Sequence, residues 1–348
     1  MDQKADTLPA NASSSTGADA AVARRLAAPR RSHPLEAAFW LAAFAAFALL
    51  PSYRPLINEV AILALFALSL DLILGFAGIV SLGHAAFLGL GAYAAGIFAK
   101  TVAPDPLLGL VVAATLSALL GWMTSFLVLR GSDLTRLMVT LGVALVLYEL
   151  ANTLRSITGG ADGLQGMTVG PVLGLFEFDL FGRTAAAYSL IVLFVLFLAA
   201  RWITTSPFGL SLKAIRENPV RAAAVGVPVN RRLIAVYTLA AAYAGIAGGL
   251  LAQTTQFVSL DVLDFHRSAD VLLVLIIGGT GYLYGGLIGA VVFKIMQDHL
   301  ATLTPQYWQF WVGLILVAFV LIGRDRISRT IDAVRGMTMR RTVPEAGR

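Results

Sequence analysis

ADVLLVLIIGGTGYLYGGLIGAVVFKIMQD, residues 269–298, has an apolar half, a glycine-rich centre and a second apolar half. Gly278, Gly279, Gly281, Gly285, Gly286 and Gly289 interrupt what would otherwise be one long greasy run. Read as one helix, it crosses a bilayer once. Read as a hairpin that breaks at the glycines and returns, it is re-entrant or crosses twice, and everything after it changes side. Charge counting decides between the two.

The chain of 348 residues is 58% hydrophobic and 13% charged, with mean hydropathy +0.79. A soluble domain carries about 25% charged residues, so the class is an all-α polytopic membrane protein. A crossing helix needs about 20 apolar residues. Candidates are 35–51, 57–80, 84–100, 107–129, 136–153, 185–203, 233–253 and 306–323, which with the hairpin predicts roughly 8–10 transmembrane helices. With the N-terminus inside, 130–136 and 204–232 face the cytoplasm and 154–184 faces outside. A single crossing at 269–298 would put the tail outside, with Arg324, Arg326, Arg329, Arg335, Arg340, Arg341 and Arg348. That violates the positive-inside rule. A hairpin keeps twenty of the 26 Lys/Arg inside and leaves Arg54, Lys100, Arg155, Arg183 and Arg267 outside, with Lys294 within the membrane segment. Parity therefore favours the hairpin. Non-helical backbone at membrane depth survives only where protein or a water-filled path covers it, so the glycine break is also a pathway candidate.

Residues 1–34 are rich in Ala and Ser and read as a disordered cytoplasmic tail. The basic cluster at Arg24, Arg25, Arg30 and Arg31 before apolar 35–50 mimics a signal peptide, but its distance from the start favours a retained first span. The membrane domain is 35–323 and the basic cytoplasmic tail 324–348. There is no cysteine, which excludes a disulfide scaffold and thiolate metal sites and leaves the redox compartment open. His33, His84, His266 and His299 are scattered, so no metal is expected. HExxH, GxSxG and GxxxxGK[ST] are absent, so the chain is read as no enzyme, with no catalytic residues and no ATPase site of its own. The net charge of +6 is explained by topology and calls for no nucleic acid.

PFGLSLKAIRENPVRAAAVGVPVNRR, residues 207–232, is polar and basic between two long apolar runs. Pro219 restricts Asn218 to extended backbone, so a first short helix ends near Glu217. Asn218 then serves as N-cap and Pro219 as N1 of a second, with Gly226 at its C′ position. Arg216 and Arg221 flank it, and Ala222, Ala223 and Ala224 keep its surface shallow. Two readings stand: a basic loop that only fixes topology, and a docking element for a cytoplasmic partner.

GLSLKAIRENPVRAAAVGV resembles the cytoplasmic loop of the LivM-like permease subunits of branched-chain amino-acid ABC importers. Residues 67–96, ALSLDLILGFAGIVSLGHAAFLGLGAYAAG, resemble the same family, as do 274–292, VLIIGGTGYLYGGLIGAVV, and the outside segment 158–167, TGGADGLQGM. The resemblance runs from about 55 to 323 in the expected order. It implies that 35–323 is a permease domain, that 204–232 is a coupling loop seated in a groove of an ATPase, and that Arg216, Glu217, Asn218, Pro219, Arg221, Ala222 and Gly226 carry the coupling. Ala222 and Gly226 fall at small-residue positions of the family's coupling signature, Arg221 where the family often has Ala, and Val220 where the broader signature is acidic. The implied partners are a second, related permease in a hetero-dimer, two cytoplasmic ATPase subunits and an extracytoplasmic binding protein. No cofactor is bound directly, and ATP is used by the partners. The implied location is a bacterial inner (plasma) membrane.

Candidates for the translocation path are Asp71, Ser81, Gly83, His84, Gly279, Thr280, Gly281 and Tyr282. Each has a plainer reading. An ionisable group such as Asp71 inside a span is a functional hypothesis by default; the plainer account is a protonated side chain bonded to a neighbouring carbonyl or hydroxyl, and the family more often has Asn there. Ser81-Leu82-Gly83-His84 is polar between apolar runs, and the plainer His84 is interfacial or hydrogen-bonded. The glycines of 75–96, Gly245 with Gly249, and Gly281, Gly285 and Gly289 are spaced for close helix packing. Branched-chain or other apolar amino acids are the leading cargo; urea, short amides and aromatic acids are alternatives. A secondary transporter would need ion-liganding groups near the midplane, usually in two related halves, and Asp71 is almost the sole such group. A membrane-embedded enzyme would need clustered His, Asp and Glu, which the sequence lacks.

Overall fold

The computed structural model describes residues 34–179 and 182–322. The basic tails expected at 1–34 and 324–348 lie outside these residues, apart from Pro34. The chain divides at Leu49. Before the division stands one apolar helix, α1 (Pro34–Leu49).

After it come α2 (Arg54–Leu74), α3 (Ala85–Thr101), α4 (Pro106–Val128), α5 (Asp133–Thr153) and the single turn α6 (Arg155–Thr158). These are followed by α7 (Arg183–Thr205), α8 (Pro207–Glu217), α9 (Pro219–Ala224), α10 (Val229–Thr255), α11 (Phe265–Gly278), α12 (Leu283–Leu303) and α13 (Trp308–Ile322). Among the described residues there is no strand beyond two isolated bridges. The protein is an all-α polytopic membrane protein.

Five stretches are long and apolar enough to cross a membrane among the described residues: Pro51–Leu74, α4, α5, α7 and α10. The pair α11 and α12 passes the same test but is bent by 112° at its break. Helix length alone thus yields five or six crossings. The expected eight to ten are reached when the shorter α1, α3 and α13 are counted as well. α3 is short for a physical reason. The helix expected over 57–80 stops at Leu74, and 75–84 continues as buried non-helical backbone through Gly78 at φ +72°. Several of its amides are paired: Phe76 donates to Asp71 O and Ile79 to Ile73 O. The chain has already climbed back to the level of Ser69 when α3 begins, because Ser69 Oγ and His84 Nε2 are 2.8 Å apart.

α2 and α10 form the core. In α2, 72% of the apolar window is buried against protein, against 17% in α5. α4, α5 and α7 turn Trp122, Leu145 and Trp202 outward, as lipid-facing helices do. Gly91 of α3 and Gly245 of α10 touch backbone to backbone, and Gly248 lies on the Leu88 carbonyl. Gly245 also meets Ser117 and Ala113 of α4. Small residues bring these three helices together, the packing expected where lipid removes the hydrophobic drive for helix association.

The segment 269–298 folds back on itself at its glycine break, with a bend of 112° between α11 and α12. Val258 pairs with Leu164 through two backbone hydrogen bonds. The chain then passes Gly89 at Leu263 and Ala85 at Ser268. α11 has 14 residues, about 21 Å, too short for a hydrocarbon core of about 30 Å. It ends at the glycine break, where Gly279 and Gly281 have φ of +94° and +80°. α12 packs back against it, Gly285 on the Gly278 carbonyl and Gly289 on that of Val274. α12 runs antiparallel to α2: Gly281 meets Asp71, Gly286 meets Ala67 and Lys294 meets Glu59. The far end of α12 thus lies toward the Arg54 end of α2 while the tip of the hairpin reaches the Leu74 end; α11 begins beside Ala85, near the level of Ser69. In this cysteine-free chain, Ala301→Cys and Ser211→Cys are expected to react with an impermeant maleimide from opposite sides of the membrane. Labelling of both from one side would contradict the hairpin.

Candidate functional site

Local chemistry builds the elbow between α7 and α10. Leu212 and Ile215 are buried at helical spacing, and Gly209 lies on the Thr204 backbone. Asn218 is extended, at φ −157° and ψ 100°. Its Oδ1 accepts from the Arg221 amide at 2.9 Å, and Pro219 opens α9. At the other end the Gly226 amide donates to Ala223 O at 3.0 Å and the Val227 amide to Ala222 O at 3.1 Å. This is a Schellman closure with Gly226 at φ +89°. Both ends of a six-residue helix are therefore tied. Ala222 is buried, whereas Val220, Arg221, Ala223, Ala224 and Val225 are exposed, Val220 at 78%. Glu217 is also exposed.

Arg216 joins this elbow to both breaks in the membrane helices. Its guanidinium donates to the Gly75 carbonyl, one of the orphan acceptors at the end of α2. A positive charge there also complements the negative end of the helix dipole. A Cβ on Gly281 would stand 3.0 Å from the same guanidinium. The Gly281 amide donates to Asp71 Oδ1 at 2.7 Å. Asp71 therefore accepts from an amide of the hairpin tip, rather than donating to a carbonyl or hydroxyl. That amide has no helical partner, and an unpaired N–H is costly away from water. Lys213 adds a cation–π contact, 5.3 Å from the Phe76 ring centroid. Asp71, Gly281 and Arg216, drawn from three distant stretches, meet at one junction.

The other path candidates lie around this junction or deeper. Ser81 and His84 are buried, and Gly83 sits against the Thr140 carbonyl. Gly279 is buried, Thr280 half-buried, and Tyr282 is 68% exposed. His84 stacks on Phe66 at 5.4 Å. Among the described residues no group of three His, Asp or Glu could hold a metal ion.

A cavity of about 730 Å³ opens between the Arg54 end of α2, the end of α10, and α11 and α12. None of the eight path candidates lines it; Phe66, on its floor, separates it from His84. Sequence reasoning missed its residues. Lys294 Nζ and Glu59 Oε2 are paired at 2.6 Å. Asn58 donates to Thr254 at 3.2 Å and accepts from Ser189 at 2.6 Å. Arg267 and Asp270 share the wall. The one available signal was Lys294, a charge inside an apolar segment, and no spacing rule links it to Glu59.

Residues 52–321 match the family described as "Branched-chain amino acid transport system / permease component". The LivM protein of Escherichia coli K12, a high-affinity branched-chain amino acid transport system permease protein, is 25% identical over 279 residues. That match covers 74% of this chain and 65% of LivM, so the chain spans under two thirds of that relative's length. The probable branched-chain amino acid transport permease LivH of Methanocaldococcus jannaschii is 25% identical over 254 residues, 68% of this chain and 76% of its own. The fructose import permease FrcC of Rhizobium meliloti is 26% identical over 285 residues, 77% of this chain and 76% of its own. No solved structure matches the chain.

Proposed function

Because the chain belongs to the family of branched-chain amino acid transport system permease components, we propose that it is the membrane subunit of an ABC importer, driven by separate ATPases through residues 204–232. The observation that carries this reading is the Arg216 junction. A capped, exposed elbow hydrogen-bonds the end of the core helix α2 and abuts the tip of the glycine-broken hairpin. Displacement of the elbow by an ATPase would be passed to α2 and α12, which wall the cavity. A short helix tied at both ends transmits displacement that a loose loop would absorb. The exposed α9 surface around Val220, Arg221 and Val225 is the face offered to the ATPase, while Ala222 holds α9 to its own chain.

In this reading the N-terminus and the elbow are cytoplasmic in a bacterial inner membrane, as the charge distribution favours. The cavity then opens outward, toward a binding protein, and a second related permease completes the complex. Branched-chain or other apolar amino acids are the leading cargo. FrcC, named for fructose, supports a sugar as the second reading.

Co-purification of the tagged chain with an ATPase, and ATP-dependent uptake that survives an ionophore, test the assignment. Gly226→Val should uncouple it, because a β-branched residue does not tolerate φ of +89°. Asn218→Ala together with Pro219→Gly should do the same by releasing the N-cap, worth about 1 kcal/mol. Uptake should fall severalfold in each while membrane insertion stays at the parent level. Normal uptake by both variants at parent expression would remove the coupling role from α9.

A further inference from the structure

We infer that the Glu59–Lys294 pair is the polar half of a binding subsite for a zwitterionic amino acid with an apolar side chain, a subsite inside this chain rather than in its binding protein. The inference rests on the permease reading and specifies its cargo.

Glu59, Ile62, Leu63 and Phe66 all line the cavity. They stand at i, i+3, i+4 and i+7 of α2, so they form one helix face. The carboxylate is at the top and the aliphatic and aromatic groups lie beneath it, spanning about 10 Å along the axis at 1.5 Å per residue. Leu88 and Phe293 continue the apolar wall. Lys294 arrives from the other side on α12, with Gln297 Oε1 accepting from its ammonium at 3.1 Å. A cavity of about 730 Å³ falls within the range of small-ligand sites, about 300–1,000 Å³, and its wall combines this apolar face with polar and charged groups, Arg267 and Asp270 among them.

The pair itself identifies the ligand class. An α-ammonium would take the place of Lys294 at the Glu59 carboxylate, and an α-carboxylate the place of Glu59 at the Lys294 ammonium. Each protein charge exchanges one partner for another of the same sign, so both keep a partner in a pair that water also reaches, with 53% of the Glu59 side chain and 21% of the Lys294 side chain exposed. A sugar offers neither charge. An amine or a carboxylic acid alone can replace only one of the two partners. Because one charge is on the core helix α2 and the other on the returning arm of the hairpin, the ligand would replace a direct tie between the two elements with a bridged one.

The absence of cysteine makes the test direct. Leu63→Cys in the full chain, reconstituted in nanodiscs, reports on the cavity through its rate of alkylation by a small methanethiosulfonate. Millimolar L-leucine is expected to slow that rate about tenfold. Isoamylamine and isovalerate, each missing one charge, should protect at least about tenfold more weakly, as loss of a charge-assisted bond implies. Adding Glu59→Gln with Lys294→Met removes both charges and leaves no unpaired one, so this variant should insert normally and lose the leucine protection. Equal protection by all three probes, protection by D-galactose instead, retained protection in the neutral variant, or an unreactive Leu63→Cys would each overturn the subsite. Failure here with an ATPase still co-purifying leaves the permease assignment standing; loss of the ATPase would count against the permease itself.

Discussion

Arg216→Ala is expected to cut uptake by the assembled importer about tenfold to a hundredfold while the ATPases continue to hydrolyse ATP. The range is what loss of one hydrogen bond to a charged group implies, about 1.5–3 kcal/mol. The Arg216 guanidinium holds the Gly75 carbonyl and lies against Gly281. Without it the elbow still folds, because Asn218 and Gly226 cap α9 independently. What is lost is the tie between elbow and membrane helices. Arg216→Lys should fall between parent and alanine, since an ammonium is a point charge and lacks the planar fork that reaches two neighbours. Paired uptake and hydrolysis measurements in proteoliposomes decide it. A proportional fall in both activities would point to damaged assembly and against a severed linkage.

Gly248→Val is expected to leave almost no monodisperse protein in detergent, whereas Gly142→Val should leave the yield unchanged. A Cβ at position 248 would overlap the Leu88 carbonyl oxygen and stand 2.8 Å from the Ala92 amide nitrogen. Both obstacles are backbone, so no rotamer change relieves them. α3 would have to move off α10, taking with it the contact at Gly91 and Gly245. Overpacking costs about 1–3 kcal/mol where side chains can yield, and more where they cannot. Gly142 has nothing within 4 Å of a built Cβ and faces outward on α5. Size-exclusion profiles and thermal melts of the two variants check the contrast. A well-behaved Gly248→Val protein would mean that α3 and α10 are not packed through their glycines.

These outcomes separate what was legible in the sequence from what was not. The elbow was legible in detail. Asn218-Pro219 and Gly226 act on backbone within a few residues, and the caps stand at the expected positions. The break of the hairpin was legible for the same reason: glycines permit the positive φ that Gly279 and Gly281 adopt. The end of α2 was misjudged by six residues. The run 75–80 is apolar enough to continue a helix, but Gly78 adopts positive φ there, and the space beyond Leu74 is taken by the tip at Gly281, 210 residues from Asp71. The path candidates were chosen as polar or glycine-rich interruptions. That rule located the junction but overlooked the cavity, whose polar and charged residues come from the ends of several separate elements and meet only in the fold.

Composition, the position of positive charge and the grammar of caps and glycines were enough to establish an all-α membrane chain, its broken hairpin and its capped elbow. Each of these is set by transfer from water or by local backbone geometry, and both act over a few residues. Folding alone brought Arg216 to Gly75 across 141 residues, Glu59 to Lys294, and α2 and α12 together around a cavity. In a bilayer the lipid-facing and protein-facing sides of a helix are equally apolar. Their pattern therefore does not say which face meets which neighbour, and the packed arrangement decides it.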